Sequence, residues 1–269
     1  MSLSSRLAIG LVCVASCARH ASTNLPAAPA RRAPSAVVFR DTFDAPHAVP
    51  EHSLNHALDQ RQSGLLAPAT WSRAPGVWFT GQGPDIAHSS IIGPRDGGDG
   101  RLVLRANTGV RLERAIEPDA RGGYELHFRV DPVVDDVESL GWVSVVLSTD
   151  PDGLGWVNRP DAAPGLLVRS NGDAQLFHRR EERGIAWEDG RPSPARSYDV
   201  TLRVWLDEEG HRTRLRLRGT INHARFDATL EEGAAAALPP RAWLMFGAHF
   251  HPDGSARESW IDDVDLGRQ

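Results

Sequence analysis

Beyond position 17 the 269-residue chain contains no cysteine, since both Cys13 and Cys17 fall within the first twenty residues. No disulfide can therefore staple the body of the protein, and stability must come from a hydrophobic core, which a chain of this length can build. Positive charge is not in excess either. Thirty basic against 35 acidic residues leave a formal charge of −5, which removes any general attraction to nucleic acid or acidic membranes and confines anion binding to local patches. The apolar run at residues 7–15 is too short to cross a bilayer as a permanent helix. No stretch has a convincing helical periodicity, no internal repeat is present, and no break suggests a second folded domain. Twenty-five glycines, nineteen prolines and eight tryptophans favour a turn-rich β protein.

The clearest local signal is at residues 198–219. Tyr-Asp-Val-Thr-Leu-Arg-Val-Trp-Leu is followed by Asp-Glu-Glu-Gly and then His-Arg-Thr-Arg-Leu-Arg-Leu-Arg-Gly. Apolar residues recur at every second position on both sides of a Gly-containing turn, as an antiparallel hairpin requires. Pairing Leu206 with His211 sets Val204 against Thr213, Leu202 against Leu215 and Val200 against Leu217, which gathers the aliphatic residues on one face. A one-residue slip would turn one strand's aliphatic side chains to the wrong side. The other face then carries Thr201, Arg203 and Trp205 opposite Arg216, Arg214 and Arg212. This arginine ladder is self-repulsive and needs counter-charge. The acidic stretch Asp207-Glu208-Glu209 is one source of it, and an anionic ligand such as a uronate- or sulfate-bearing glycan is another.

Alternation marks further strands at residues 37–43, 85–92, 101–106, 123–130, 141–149, 165–169, 174–178, 243–250 and 258–266. Turn sequences separate most of them, among them Asp150-Pro-Asp-Gly, Pro252-Asp-Gly and Asn171-Gly172, the last suited to a two-residue hairpin turn. About a dozen strands without a helix point to two packed antiparallel sheets. At the N-terminus, an early Arg6, the apolar run and the ending Val14-Ala15-Ser16-Cys17 have the layout of a signal peptide. That ending resembles the lipobox of bacterial lipoproteins, which implies that residues 1–16 are removed and that Cys17 carries the lipid. An ordinary cleaved signal and secretion are the alternative. Ala18 after the cysteine resembles the pattern sorted to the outer membrane of Gram-negative bacteria. Residues 17–36, rich in Ala, Pro and Arg, read as a disordered tether, and residues 37–269 as the folded domain.

Within that domain, Leu54, Asn55, Leu58, Arg61, Gln62, Ser63, Gly64, Ala67 and Pro68 follow a strand of the form F-x-D-x-F. Together they resemble the opening of concanavalin A-like (laminin G-like) jelly rolls of bacterial surface proteins. Trp260-Ile-Asp-Asp-Val resembles the closing strand of the same domains. The resemblance implies an all-β, two-sheet antiparallel jelly-roll sandwich whose first and last strands lie side by side. It implies carbohydrate as the ligand class. The E-x-D-x-x-E motif by which jelly-roll glucanases aim their carboxylates into a groove is absent, which argues against that chemistry.

Several residues are candidates for function. Tryptophan faces hold sugar C–H groups while polar neighbours bond the hydroxyls. Trp156 and Trp187, in Gly- and charge-rich stretches, lead Trp142 and Trp205 in this role, with Arg169, His178 and His249 as polar partners and Arg212 and Arg214 available to an anionic glycan. Trp205 beside Arg212 would add a cation–π contact. Asp41 and Asp262 fall in phase with apolar residues and need compensation, which a structural Ca²⁺ or arginine and backbone N–H partners can supply. His249 and His251, with Asp253 nearby, suit either zinc or a polar rim. The expected function is a surface lipoprotein whose jelly roll binds carbohydrate without catalysis. A polysaccharide hydrolase or lyase on the same scaffold, or an adhesive protein without a glycan ligand, are the alternatives. No nucleic-acid partner is expected, and membrane contact is through the lipid only.

Overall fold

The structure, a computed structural model, describes residues 36–41, 43, 71–73, 90–94, 100–105, 108–112, 115–118, 123–133, 141–152, 155–209, 211–248 and 258–268. In chain order its strands are β1 (Ala36–Asp41), β2 (Trp71–Arg73), β3 (Ser90–Pro94), β4 (Gly100–Arg105), β5 (Thr108–Leu112), β6 (Gly123–Asp131), β7 (Trp142–Ser148) and β8 (Ala162–Arg169). They continue with β9 (Ala174–His178), β10 (Glu181–Arg183), β11 (Ala186–Trp187), β12 (Tyr198–Glu209), β13 (Arg212–Ile221), β14 (Ala224–Glu232), β15 (Trp243–Ala248) and β16 (Glu258–Arg268). A single 3₁₀ turn, Gly233–Ala235, is the only helical element among the described residues.

The strands form two antiparallel sheets. The larger has the order β11-β14-β13-β12-β6-β16-β4-β3, with β1 also paired to β16, and the smaller the order β10-β9-β8-β7-β15-β5-β2. The first and last strands are neighbours, with Phe39 opposite Leu266 and Asp41 opposite Val264. Alternation explains the layering. Leu126, Phe128 and Val130 of β6 and Val200, Leu202 and Val204 of β12 meet Val143 and Val145 of β7, Leu166 of β8 and Phe246 of β15 in one core. Phe128 and Phe246, one from each sheet, pack edge to face at 5.2 Å, a geometry worth about 0.5–1.5 kcal/mol beyond area burial.

The β12–β13 hairpin forms, but in a register four residues away from the expected one. Val200 pairs with Ile221, Val204 with Leu217 and Leu206 with Leu215. Because four is even, every side chain keeps its face. The longer pairing is favoured because β12 continues through the supposed turn, setting Asp207 opposite Arg214 and Glu209 opposite Arg212, and opposite charges across strands attract.

The counter-charge to the arginine ladder also comes from β14, a strand outside those expected from the sequence. Asp227 bridges Arg216 at 2.7 Å and Arg218 at 3.1 Å, and Glu232 lies 3.3 Å from Arg214. Asp207 adds a contact to Arg216 at 3.7 Å. The cation–π partner of Trp205 is Arg203, at 5.0 Å from the ring centroid, in place of the expected Arg212. The chain contains no lysine, so every cation on this face is a planar fork able to bridge carboxylates.

Two smaller corrections have local causes. The β8–β9 connection spans four residues, Ser170–Asp173, in which Gly172 alone takes a positive φ, of 85°. Pro192 O sits where a Cβ at this position would be, 2.5 Å away, so the site requires glycine. In β16 the register shifts between Asp262 and Asp265, and Asp263 has φ of 51°. This bulge lets Ile261, Val264 and Leu266 all enter the core, while Trp260 turns away from it beneath Arg101, at 5.4 Å.

Candidate functional site

Strand β7 reads Trp-Val-Ser-Val-Val-Leu-Ser and is buried along nearly all its length, which means that both faces of the smaller sheet are covered near its centre. Val143, Val145 and Leu147 point into the sandwich. On the outer face a second apolar cluster unites Val146, Leu167 and Met245 with Val157 and Ala162, flanked by the half-buried Trp142, Phe177 and Trp243. The cover is the connection between β7 and β8. Asp161, 8% exposed, anchors its end by accepting from Ser148 Oγ at 2.8 Å and from Arg159 Nε at 2.8 Å. Ser144 Oγ donates to Gly155 O at 2.6 Å in the middle. Val157 reaches the sheet because residue 165 is glycine, as a Cβ there would lie 2.9 Å from Val157 Cγ1.

The loop sets Trp156 against Trp142, edge to face, with centroids 6.3 Å apart. Both indoles are partly exposed. Trp142 pairs across the sheet with Arg169 on β8. From Arg169 a polar row crosses the face: its Nη2 donates to Gln175 Oε1 at 3.0 Å, and Gln175 Nε2 donates to Glu182 Oε1 at 3.2 Å. Thus β7, β8, β9 and β10 contribute, in order, an aromatic, a guanidinium, an amide and a carboxylate. Aromatic faces bounded by fixed hydrogen-bonding groups are suited to a ligand that is apolar on its ring faces and polar at its rim.

Of the residues expected at a site, Trp142, Trp156 and Arg169 meet on this face. Trp205, Arg212 and Arg214 belong to the larger sheet, where Arg214 pairs with Glu232 and Trp205 with Arg203. Trp187 pairs with Phe226 on β14 and packs on its ring at 5.2 Å. His249, His251 and Asp253 lie outside the described residues, as do Cys17 and residues 54–70. Gln175 and Glu182 carry no sequence motif. Glu182 reads as part of a charged turn, and only the pairing of β10 with β9 puts it at the end of the row.

His178 sits between the sheets at 1% exposure, with Nε2 3.4 Å from Glu231 Oε2, while Arg179 Nη1 is 3.2 Å from the same carboxylate. Burial depresses its pKa from the usual 6.5, Glu231 pulls it back up, and Arg179 and Arg183 push it down again. The imidazole is therefore more easily protonated in the unfolded chain than in the folded one. Stability is full above the unfolded value and declines as pH falls through about 6.5 towards the folded value. Thermal unfolding measured from neutral to mildly acidic pH should show this decline, and His178→Gln should flatten it. An equal decline in the variant would assign the effect to other groups.

Asp41 and Asp262 are buried at 3% and 7% exposure. Asp41 Oδ1 accepts from Phe43 N at 2.8 Å, and Asp262 Oδ1 from Asp263 N at 2.9 Å, with Arg101 Nε 3.8 Å from its other oxygen. Arginine and backbone N–H groups thus satisfy both carboxylates in part. Among the described residues, no cluster of three or more His, Cys, Asp or Glu side chains has the arrangement needed to hold a metal ion.

No protein family and no curated protein matches the chain in sequence. Solved structures do match it. The endo-1,3-beta-glucanase from Streptomyces sioyaensis superposes with a TM-score of 0.51 at 13% identity, over 89% of this chain and 98% of that one. The carbohydrate recognition domain of Emp47p gives a TM-score of 0.45 at 12% identity, over 86% and 97% of the two chains. The seed lectin of Lotus tetragonolobus gives 0.38 at 9%, over 77% and 94%. The likeness to the glucanase establishes the fold as a two-sheet jelly roll of the concanavalin A-like lectin/glucanase kind.

Proposed function

We propose that the protein is a surface lipoprotein whose jelly roll binds carbohydrate without cleaving it. One observation carries the reading: Trp142 and Trp156 stand beside the row Arg169–Gln175–Glu182 on one face of the smaller sheet. A sugar ring packed on Trp142 would have Arg169, the cross-strand neighbour of that indole, beside it. Carbohydrate is also the ligand class named for the endo-1,3-beta-glucanase whose fold this chain shares. Glycoside hydrolysis requires two carboxyl groups placed on either side of the scissile bond. Among the described strand positions on this face, Glu182 is the only carboxylate, which favours binding over hydrolysis. The apolar leader and Val-Ala-Ser-Cys17 support attachment through a lipid on Cys17 and an outer-membrane location.

The test is incubation of the full chain with immobilised polysaccharides. Retention without release of reducing ends or unsaturated products is the expected result. Product release would replace this reading with an enzymatic one, and retention on none would remove carbohydrate as the ligand. For the anchor, Cys17→Ser should move the protein from the membrane fraction to the soluble one, and an unchanged distribution would exclude lipidation there.

A further inference from the structure

We infer that the glycan held by this face is uncharged, and that Glu182 sets this preference. The inference rests on the carbohydrate reading above and narrows it. The row has a fixed polarity. Gln175 accepts from Arg169 and donates to Glu182, so its amide has one orientation and the carboxylate end of the row offers acceptors only. A sugar hydroxyl can donate to that carboxylate. A uronate or sulfate group brings no donor and meets a like charge on the exposed edge strand β10, where the Gln175 amide is the partner of Glu182 among the described residues.

The row's own cation, Arg169, is tied to Gln175 at 3.0 Å, and the loop beside it adds more carboxylates than guanidiniums among its described residues. The loop that presents Trp156 brings Asp150, Asp152 and Asp161 against Arg159, which is already held at 2.8 Å by Asp161 and lies 3.9 Å from Asp150. Asp173, next to the row, has Arg191 at 2.7 Å. Of the arginines of the larger sheet, the other attraction for a polyanion, Arg214, Arg216 and Arg218 are paired with Asp207, Asp227 and Glu232. With a formal charge of −5 for the whole chain, long-range electrostatics repel a polyanion as it approaches. What remains to bind a glycan is the pair of indole faces and hydrogen bonds, both of which suit an uncharged polymer.

The experiment compares binding of the full chain to neutral probes (laminarin, galactomannan and xylan) and to acidic ones (alginate, polygalacturonate and heparin), at low and high salt. The expected result is binding to at least one neutral polymer with little dependence on salt, and at least about tenfold weaker binding to every acidic one at low salt. Glu182→Gln keeps the shape and an acceptor while removing the charge, and should narrow that gap several-fold without altering the melting temperature. Tighter binding to an acidic polymer, lost as salt rises, would overturn the inference and leave the carbohydrate reading standing. An unchanged gap in Glu182→Gln would overturn the role given to that residue. Binding to neither class would overturn both.

Discussion

Gly219→Ala is expected to destabilise the protein by about 2–3 kcal/mol, a drop in melting temperature of roughly 5–10 °C for a domain of this size. Gly219 lies on the inner face of β13, between Leu202 of β12 and Phe226 of β14. The ring of Phe226 lies across it. A Cβ at this position would be 2.5 Å from Cζ and 2.7 Å from Cε1 of that ring, and 2.7 Å from the backbone oxygen of Thr201. None of these atoms yields cheaply. Phe226 is fully buried and packs on Trp187, and Thr201 belongs to the strand that β13 pairs with. Valine at the position should cost more than alanine. Phe226→Leu in the Gly219→Ala background should recover part of the loss, because the clash is shared by the two residues. A Gly219→Ala variant that melts like the parent would show that the ring is not over the glycine.

Trp142→Ala and Trp156→Ala should each weaken glycan binding by about 30-fold, the effect of losing roughly 2 kcal/mol from an aromatic anchor. The two indoles support one another edge to face, so the double variant should lose less than the sum of the single ones. Trp205→Ala, on the larger sheet, should bind as the parent does. Trp187→Ala should lower the melting temperature through its contact with Phe226 and leave affinity alone. Equal losses at Trp142 and Trp205 would place the ligand elsewhere.

The framework of the fold was legible because alternation is a local signal. It placed β6, β7, β9, β12, β13 and β16 to within a few residues, whereas the pairing of the first and last strands came from the family resemblance at both ends of the chain. What it could not supply was pairing. The register of the β12–β13 hairpin turned on a preference for setting Asp207 and Glu209 against arginines over leaving them in a turn, and both registers bury the same aliphatic side chains. Strand β14 alternates as well as any, with Ala224, Phe226, Ala228 and Leu230 buried. The bulge at Asp262–Asp265 puts Ile261, rather than Trp260, in the core with Val264 and Leu266, because one residue in a left-handed conformation changes the phase of everything beyond it.

The site was legible only in part, for a related reason. Trp156 and Arg169 can be picked as sugar-binding types, but a polar row that runs across four strands has no sequence period. Gln175 and Glu182 become neighbours only when β8, β9 and β10 pair. His178 illustrates the converse. It terminates an alternating strand, and a candidate surface group there turns out to face Glu231 inside the sandwich, since the same two-residue period serves the inner and outer faces equally.

The most direct measurement is the movement of the tryptophan indole N–H resonances as a bound neutral oligosaccharide is titrated in, with each signal assigned by single Trp→Phe variants. Trp142 and Trp156 are expected to shift together, with Trp205 and Trp187 still. Shifts at Trp205 with Trp142 and Trp156 unmoved would contradict this, and would move the binding face to the other sheet.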